Sequence, residues 1–220
     1  QDWGYKVHRI TLDRDDRAHF GKMWLANTHY MWSDQNRQAP RYLLCQKAAE
    51  AGCKVVLTGD SGDELFTGYN HHKKRFEEGE CENMTKFFTT QRWFPYKAFG
   101  NDYMSNTLFA DLLCTSEQNI LATDQTAGMF GMESRIPLLT QTFAKYVLSI
   151  MGRVKFRQTK QYPKGTNKFL MREVMKDYLP DHVRLRNNKV GWSSPWDNNH
   201  PELSPRWRIQ AADFIKTVIK

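Results

Sequence analysis

Residues Val55 to Tyr69 read VVLTGDSGDELFTGY, and no other stretch constrains the chain as strongly. The apolar run Val55, Val56, Leu57 is rich in β-branched residues and is followed by small and acidic residues, then by Glu64, Leu65 and Phe66. This order predicts a strand, a tight loop and a helix. Ser61 and Glu64 have the spacing of a capping box, so the helix is expected to start between them with its backbone N–H groups facing the loop. Gly59 and Gly62 let backbone approach a ligand closely, while Asp60 and Asp63 add oxygen ligands that a bare phosphate loop lacks. Donors and carboxylates in one loop suit a magnesium-bound nucleotide better than a free anion. The same residue types also make a well-formed turn with a good helix cap, and the stretch alone does not separate the two. It is neither a Walker A loop, since no Gly-Lys-Ser/Thr follows, nor the spaced glycine fingerprint of dinucleotide folds.

The strand and helix signals before this loop supply a setting for it. Tyr5 to Leu12 alternates and predicts a strand, and Arg17 to Tyr30 predicts a helix opened by Asp13 to Asp16. Ser33 to Gln38 reads as a polar connection. Pro40 suits a first helical turn, Leu43, Leu44, Ala48 and Ala51 mark one helix face, and Gly52 provides a stop before the strand from Lys54 to Leu57. Strand, helix, strand, loop, helix is the rhythm of an open parallel sheet, whose ligands collect at the carboxyl ends of the strands. The expected fold class is therefore α/β, with a partial parallel sheet flanked by helices over residues 1–70 and a mainly helical part over 71–220, treated as one domain.

Beyond Tyr69 the chain is charged and aromatic. Phe87, Phe88, Trp93, Phe94, Tyr96 and Phe99 cluster in a region read as short helices packed outside the sheet. Thr115 to Gly131 predicts a helix capped by Thr115 or Ser116. Glu133 and Arg135 precede Pro137 in an extended, apolar-flanked segment and are expected to be partly buried and paired. Phe143 to Met151 predicts an amphipathic helix. Arg153 to Lys160 reads as a solvated basic loop. Lys168 differs, because it begins the helix KFLMREVMKDYLP and so holds an ammonium near a helix start, against the dipole preference, as an anion at that place would reward.

Composition narrows the function classes. With 40% hydrophobic and 25% charged residues the chain is of ordinary globular type, and no apolar run reaches the ~20 residues of a membrane span. The beginning at Gln1 has no signal-peptide pattern, and a processed or truncated cytoplasmic product is expected. Cys45, Cys53, Cys81 and Cys114 form no C-x-x-C pair, which favours reduced thiols over zinc or disulfides. His71 and His72 lie beside Lys73, Lys74 and Arg75 and read as a solvated basic helix end. The net charge of +8 admits nucleic acid, a membrane surface or a phosphate-rich substrate. The aromatics are not interleaved with Lys and Arg as in a stacking platform, so nucleic acid is not the expected partner and stays only as a weak alternative; no membrane partner is expected.

VVLTGDSGDELFTGY, DQTAGMFGMESRIPLL and KGTNKFLMREVMKDYLPDHVRLRNNKVGW, taken in order, resemble the successive motifs of the synthetase domain of glutamine-dependent asparagine synthetases. The resemblance covers about Arg41 to Trp192, and the wider group includes β-lactam synthetases and lasso-peptide cyclases, with an adenine-nucleotide α-hydrolase-type fold. It implies that ATP and magnesium adenylate the side-chain carboxylate of aspartate, after which ammonia, drawn from glutamine by a separate glutaminase domain, displaces AMP. On the matching positions it implies that Thr58 and Gly59, with Ser61 and Gly62 of the same loop, touch the nucleotide and that Tyr69 closes the motif. The resemblance further implies that Asp63 binds magnesium, that Asp60 helps to form and use the acyl-adenylate, and that Lys168 faces the phosphates and the reaction centre. Glu133 and Arg135 match a structural pair.

The chain departs from the family pattern at Asp60, where glutamate is usual, at Thr67, where glycine is usual, and at Thr140, where aspartate is usual. The family's Ser-Gly-Gly-x-Asp-Ser pyrophosphate loop and the glutaminase domain are not in these 220 residues. The chain is accordingly expected to start downstream of that loop and to lack ATP–pyrophosphate exchange by itself. Four readings remain in play: an asparagine synthetase portion, a β-lactam or peptide-macrocyclising amide synthetase, a catalytically silent binding or scaffold homologue and, last, a basic nucleic-acid-binding module. The oligomeric state is open, a homodimer being one option.

Overall fold

The computed structural model describes residues 7–10, 35–73, 98–100, 102–157 and 166–186. These fall into two compact units, one holding 7–10, 35–56 and 121–134, the other the remaining described residues from 57 to 120 and from 135 to 186. Among the described residues the architecture is mixed α/β and mostly helical, with one two-stranded sheet. The predicted helix from Arg17 to Tyr30 and most of the aromatic cluster lie outside the described residues. Residues 7–10, the described part of the expected first strand, are not in a strand, and Val7 is exposed.

In the first unit, α1 spans Gln35–Glu50. Pro40 therefore lies inside the helix instead of in its first turn, and residues 35–38 of the span expected to be a polar connection are already helical. The missing proline N–H costs one i→i−4 bond, a loss confined to the second turn of a 16-residue helix. The helix stops where the sequence places its stop. Gly52 has φ 81°, the Cys53 N–H reaches the Ala48 carbonyl at 3.0 Å and the Gly52 N–H reaches Ala49 at 2.9 Å, which is a Schellman ending. Cys45, Ala127 and Met132 form the buried core of this unit, with Ala48, Ala49, Val56 and Phe130 packed around them. Tyr42 meets Phe130 edge-on at 5.0 Å.

Strand β1, Val55–Leu57, pairs with β2, Glu133–Arg135. The Glu133 N–H donates to Lys54 and the Thr58 N–H to Arg135, so both strands advance together and the pair is parallel. Glu133 and Arg135 are exposed, contrary to the expectation of partial burial. Strand alternation turns Ser134 inward instead, and its hydroxyl donates to Asp124 at 3.1 Å.

In the second unit, α2 is the single turn Gly62–Leu65 and α3 is Tyr103–Asp111. Asp102 caps α3 through a bond from the Ser105 N–H. The helix does not end there. A π-helical segment, Leu112–Ser116, carries it into α4, Glu117–Met129. Thr115 and Ser116 thus cap nothing. Their cap-like sequence sits within a continuous helical run, where the wider turn absorbs an extra residue and Ser116 is buried. The run closes on a second Schellman ending at Gly131, with φ 66° and the Met132 N–H on Ala127.

The remaining described elements are a 3₁₀ turn at Pro137–Leu139, α5 at Gln141–Ser149, α6 at Gly152–Lys155, α7 at Phe169–Val174, a 3₁₀ turn at Met175–Asp177 and α8 at Asp181–Arg184. Leu65, Phe66 and Val147 centre their core, ringed by Leu112, Leu138, Leu139, Leu148, Leu170 and Met171. This cluster holds the turn after β1 and the start of α7 in one unit. Among the described residues no helix is long and apolar enough to cross a membrane.

Helix α6 approaches α3 so closely that a Cβ on Gly152 would lie 2.7 Å from the Ser105 nitrogen and 2.6 Å from Met104 Cγ. The Gly152 N–H donates to Asp102 and to the Ser105 hydroxyl. Gly152→Ala should therefore cost about 1–3 kcal/mol by overpacking. Thermal or denaturant unfolding checks this, and a substitution within 0.5 kcal/mol of neutral would show the two helices free to move apart.

Candidate active site

The loop after β1 folds back on itself between Asp63 and Gly68. The Gly68 N–H donates to the Asp63 carbonyl at 2.7 Å. A Cβ on Gly68 would sit 1.9 Å from Asp63 Oδ1 and 2.7 Å from its Cα, so only glycine permits this return. Gly68 was not singled out by sequence reasoning, although its place just before Tyr69 in the motif is where a signal lay. By contrast, Gly59 has open space around its would-be Cβ, and Gly62 has only Leu138 Cδ1 at 3.3 Å.

Across this turn the Lys168 ammonium meets Asp63 Oδ1 at 2.6 Å. The two residues are 105 positions apart in sequence, and both side chains are partly exposed, at 36% and 24%. An ion pair of that exposure contributes about 0–1 kcal/mol, so its value lies in placement and not in stability. Lys168 stands as N-cap of α7 in the left-handed region, φ 57°. The sequence places the lysine at a helix start; the structure supplies the carboxylate that answers its charge.

On the β1 side, the Thr58 hydroxyl donates to Asp60 Oδ2 at 2.9 Å, and Asp60 is half-buried. The expected capping box does not form. Ser61 is left-handed at φ 68°, its hydroxyl makes no cap bond and is buried without a hydrogen-bond partner. A left-handed N-cap turns the side chain away from the N–H groups of the helix it precedes, which explains the failure. Glu64 is likewise engaged elsewhere. It is buried, and the Tyr69 hydroxyl donates to Glu64 Oε1 at 2.6 Å. Burial pushes the Glu64 carboxyl above its usual range, partly offset by the bond from Tyr69. Burial and the neighbouring Glu64 push Tyr69 up as well, so its phenol remains a donor. Tyr69 is thus held from its far end, with Glu64 as the partner that the capping pattern had concealed.

His72 departs from the solvated helix end expected of the pair, while His71 stays exposed. His72 is fully buried, and both Nε2 atoms lie on Asp111 Oδ2, at 2.5 and 2.7 Å. These three residues have a separation compatible with a metal ion. The Tyr69 N–H, however, donates to His72 Nδ1 at 3.2 Å, which leaves the proton on Nε2 and aims it at Asp111. The cluster is therefore built as a hydrogen-bonded clamp. Against the cost of burial, the two histidines and their bonds hold the Asp111 carboxyl down at about 2.

Asp60 and Asp63 are the described carboxylates at the turn that are only partly buried, Glu64 being buried and bonded to Tyr69. Two aspartates within four residues, one facing a lysine, suit magnesium, which takes one or two protein carboxylates and fills its remaining positions with water and phosphate oxygens.

A parallel strand pair followed by a carboxylate turn that meets a lysine-bearing helix start defines a mixed α/β protein. The chain belongs to the asparagine synthase family, whose model matches residues 8–211. It is 26% identical over 177 residues to a Methanocaldococcus jannaschii protein bearing the asparagine synthetase (glutamine-hydrolyzing) name, covering 69% of this chain and 29% of that one. Asparagine synthetase (glutamine-hydrolyzing) 1 of Arabidopsis thaliana is 23% identical over 168 residues, covering 70% and 24%. A nodule asparagine synthetase of Pisum sativum is 24% identical over 156 residues, covering 68% and 22%. The chain spans less than a third of the length of these relatives.

Beside the turn, Lys155 departs from the solvated basic loop expected of Arg153 to Lys160. Its side chain is fully buried, its Nζ has no hydrogen-bond partner, and burial lowers the ammonium to about 8, with Asp102 opposing. Arg153 and Arg157 are exposed, as expected. Because the unfolded chain holds the Lys155 proton more tightly, stability should rise with pH from about 8 to about 10.5 and be lowest below that window. Lys155→Met should raise stability at pH 7 by up to about 3 kcal/mol and flatten the rise. Denaturant titrations at pH 7, 8, 9 and 10 test this; an unchanged slope in the variant would assign the pH dependence elsewhere.

Proposed function

We propose that this chain carries part of the site of an ATP-dependent amide synthetase. The ATP α-phosphorus is attacked by the side-chain carboxylate of aspartate, releasing pyrophosphate. Ammonia then attacks the activated carbonyl carbon, and AMP leaves as asparagine forms. The observation that carries the reading is the Asp63–Lys168 pair, which places a carboxylate and an ammonium at the end of a parallel strand.

Each residue has a task in this scheme. Asp63, with Asp60 beside it, would hold magnesium, which when bound neutralises charge on the phosphates. Lys168 would release Asp63 to that ion and turn its ammonium to the phosphate and acyl oxygens, where negative charge develops in both steps. Thr58, Gly59, Ser61 and Gly62 form the loop against which the nucleotide would lie. The Thr58 hydroxyl fixes the Asp60 carboxylate, so the shorter aspartate is at least held in one orientation. Tyr69, bonded to Glu64, supports the turn from beneath.

The test uses a reconstituted enzyme in which a family segment bearing Ser-Gly-Gly-x-Asp-Ser precedes this chain, assayed by ATP–pyrophosphate exchange. Aspartate should stimulate exchange, and other carboxylic acids should not. Asp63→Asn should abolish magnesium-dependent nucleotide binding; unchanged magnesium dependence would remove Asp63 from the metal site. Lys168→Ala should reduce exchange by about 100-fold or more while changing stability by less than about 1 kcal/mol. A large loss of stability with exchange intact would make Lys168 structural.

A further inference from the structure

Thr67 occupies a backbone conformation that β-branched residues rarely adopt. Its φ is 60° and it is fully buried. Glycine takes such a conformation freely, so a threonine persists here only if its side chain gives something in return. The Thr67 hydroxyl oxygen lies 2.5 Å from the Phe66 carbonyl and 3.2 Å from the Lys155 carbonyl, and it accepts the Lys168 N–H at 3.3 Å. One hydroxyl therefore touches three backbone segments. It can donate to a carbonyl and accept from the Lys168 amide at the same time.

A second group ties the same two loops. Asn167 Nδ2 donates to the Gly68 carbonyl at 3.2 Å and the Tyr69 carbonyl at 3.3 Å. The Asn167 carbonyl in turn accepts from Arg172 Nε at 2.8 Å, which anchors it to α7. Three side-chain-to-backbone bonds thus join residues 67–69 to residues 167–168, and the Lys168 ammonium ends on Asp63.

We propose that Thr67 is a positioning residue: its hydroxyl, with the Asn167 amide, clasps the Lys168 backbone onto the Asp63–Gly68 turn and so sets the lysine ammonium over Asp63. The importance of the clasp for catalysis rests on the reading given above, but the clasp itself is measured without nucleotide, so the two can fail separately.

The 220-residue chain is compared with Thr67→Ser, Thr67→Val and Thr67→Gly. Two quantities are read: hydrogen exchange of the Lys168 amide, and the rate at which an amine-reactive acylating reagent modifies the Lys168 side chain, resolved by mass spectrometry. Thr67→Ser, which keeps the hydroxyl, should stay within about twofold of the parent in both. Thr67→Gly removes the hydroxyl and relieves the backbone, so it should melt no lower than the parent, yet exchange the Lys168 amide about tenfold faster and label several-fold faster. That separation of stability from lysine placement is what a purely structural threonine would not produce. Thr67→Val should match the glycine variant in both readouts if it folds, and the glycine variant carries the test if it does not. Parent-like exchange and labelling in Thr67→Gly would overturn the proposal.

Discussion

The close return of Gly68 onto Asp63 is the constraint on which the second unit depends. With no side chain at residue 68, the chain turns back within van der Waals range of the Asp63 carboxylate. Three consequences follow from that one contact. The Asp63 carboxylate lies where Lys168 can reach it. Thr67 must take a left-handed φ to complete the turn. Tyr69 is delivered over α2, where its hydroxyl finds Glu64. A larger residue at position 68 would force the carboxylate aside and disturb all three at once.

Around the turn, polar groups are buried in two distinct ways. Asp111 is compensated: two histidines share one of its oxygens, and a backbone N–H fixes the tautomer of the buried one. Glu64 is also partnered, through Tyr69. Lys155 Nζ, the Ser61 and Ser116 hydroxyls and Asn167 Oδ1 are buried without hydrogen-bond partners among the described residues, at a cost of about 1–3 kcal/mol for an unsatisfied group and more for a charged one. Compensated groups rigidify the frame, because removing either partner leaves a stranded charge. The uncompensated ones draw on stability, and two of them adjoin the turn: Ser61 precedes α2, and the Lys155 carbonyl meets the Thr67 hydroxyl. Strain and unsatisfied polarity therefore collect in the segment to which the sequence assigns chemistry, as expected where function competes with packing.

What could be read in advance divides along local and non-local lines. Gly52 was legible as a helix stop because a Schellman ending is decided by a few consecutive residues and needs a positive φ. The strand at Val55 to Leu57 and the loop after it were legible for the same reason, as was Lys168 at a helix start. Ser61 and Glu64 have the spacing of a capping box, but spacing does not encode the φ of Ser61, and Tyr69 offers Glu64 a better partner. Thr115 and Ser116 look like a cap, yet the helix that begins at Tyr103 was already in progress. Lys155 reads as one more basic residue among several. Only the approach of α6 to α3, made possible by Gly152, shows that it is enclosed. The family resemblance supplied the pairing of distant motifs that local pattern could not.

Lys168 itself illustrates how position and binding energy can be kept separate. It and Thr67 are both left-handed non-glycine residues, each carrying about 1–3 kcal/mol of backbone strain, and the amide of one bonds the hydroxyl of the other. A half-exposed ion pair contributes about 0–1 kcal/mol, too little to hold such a backbone in place. The lysine must therefore be placed by the Thr67 and Asn167 bonds and the packing of Leu170 and Met171, with the contact to Asp63 as a result of that placement. A lysine held in this way can exchange the carboxylate for a ligand anion at small energetic cost without leaving its station. That is what electrostatic preorganisation requires: the charge stays put while its partner changes.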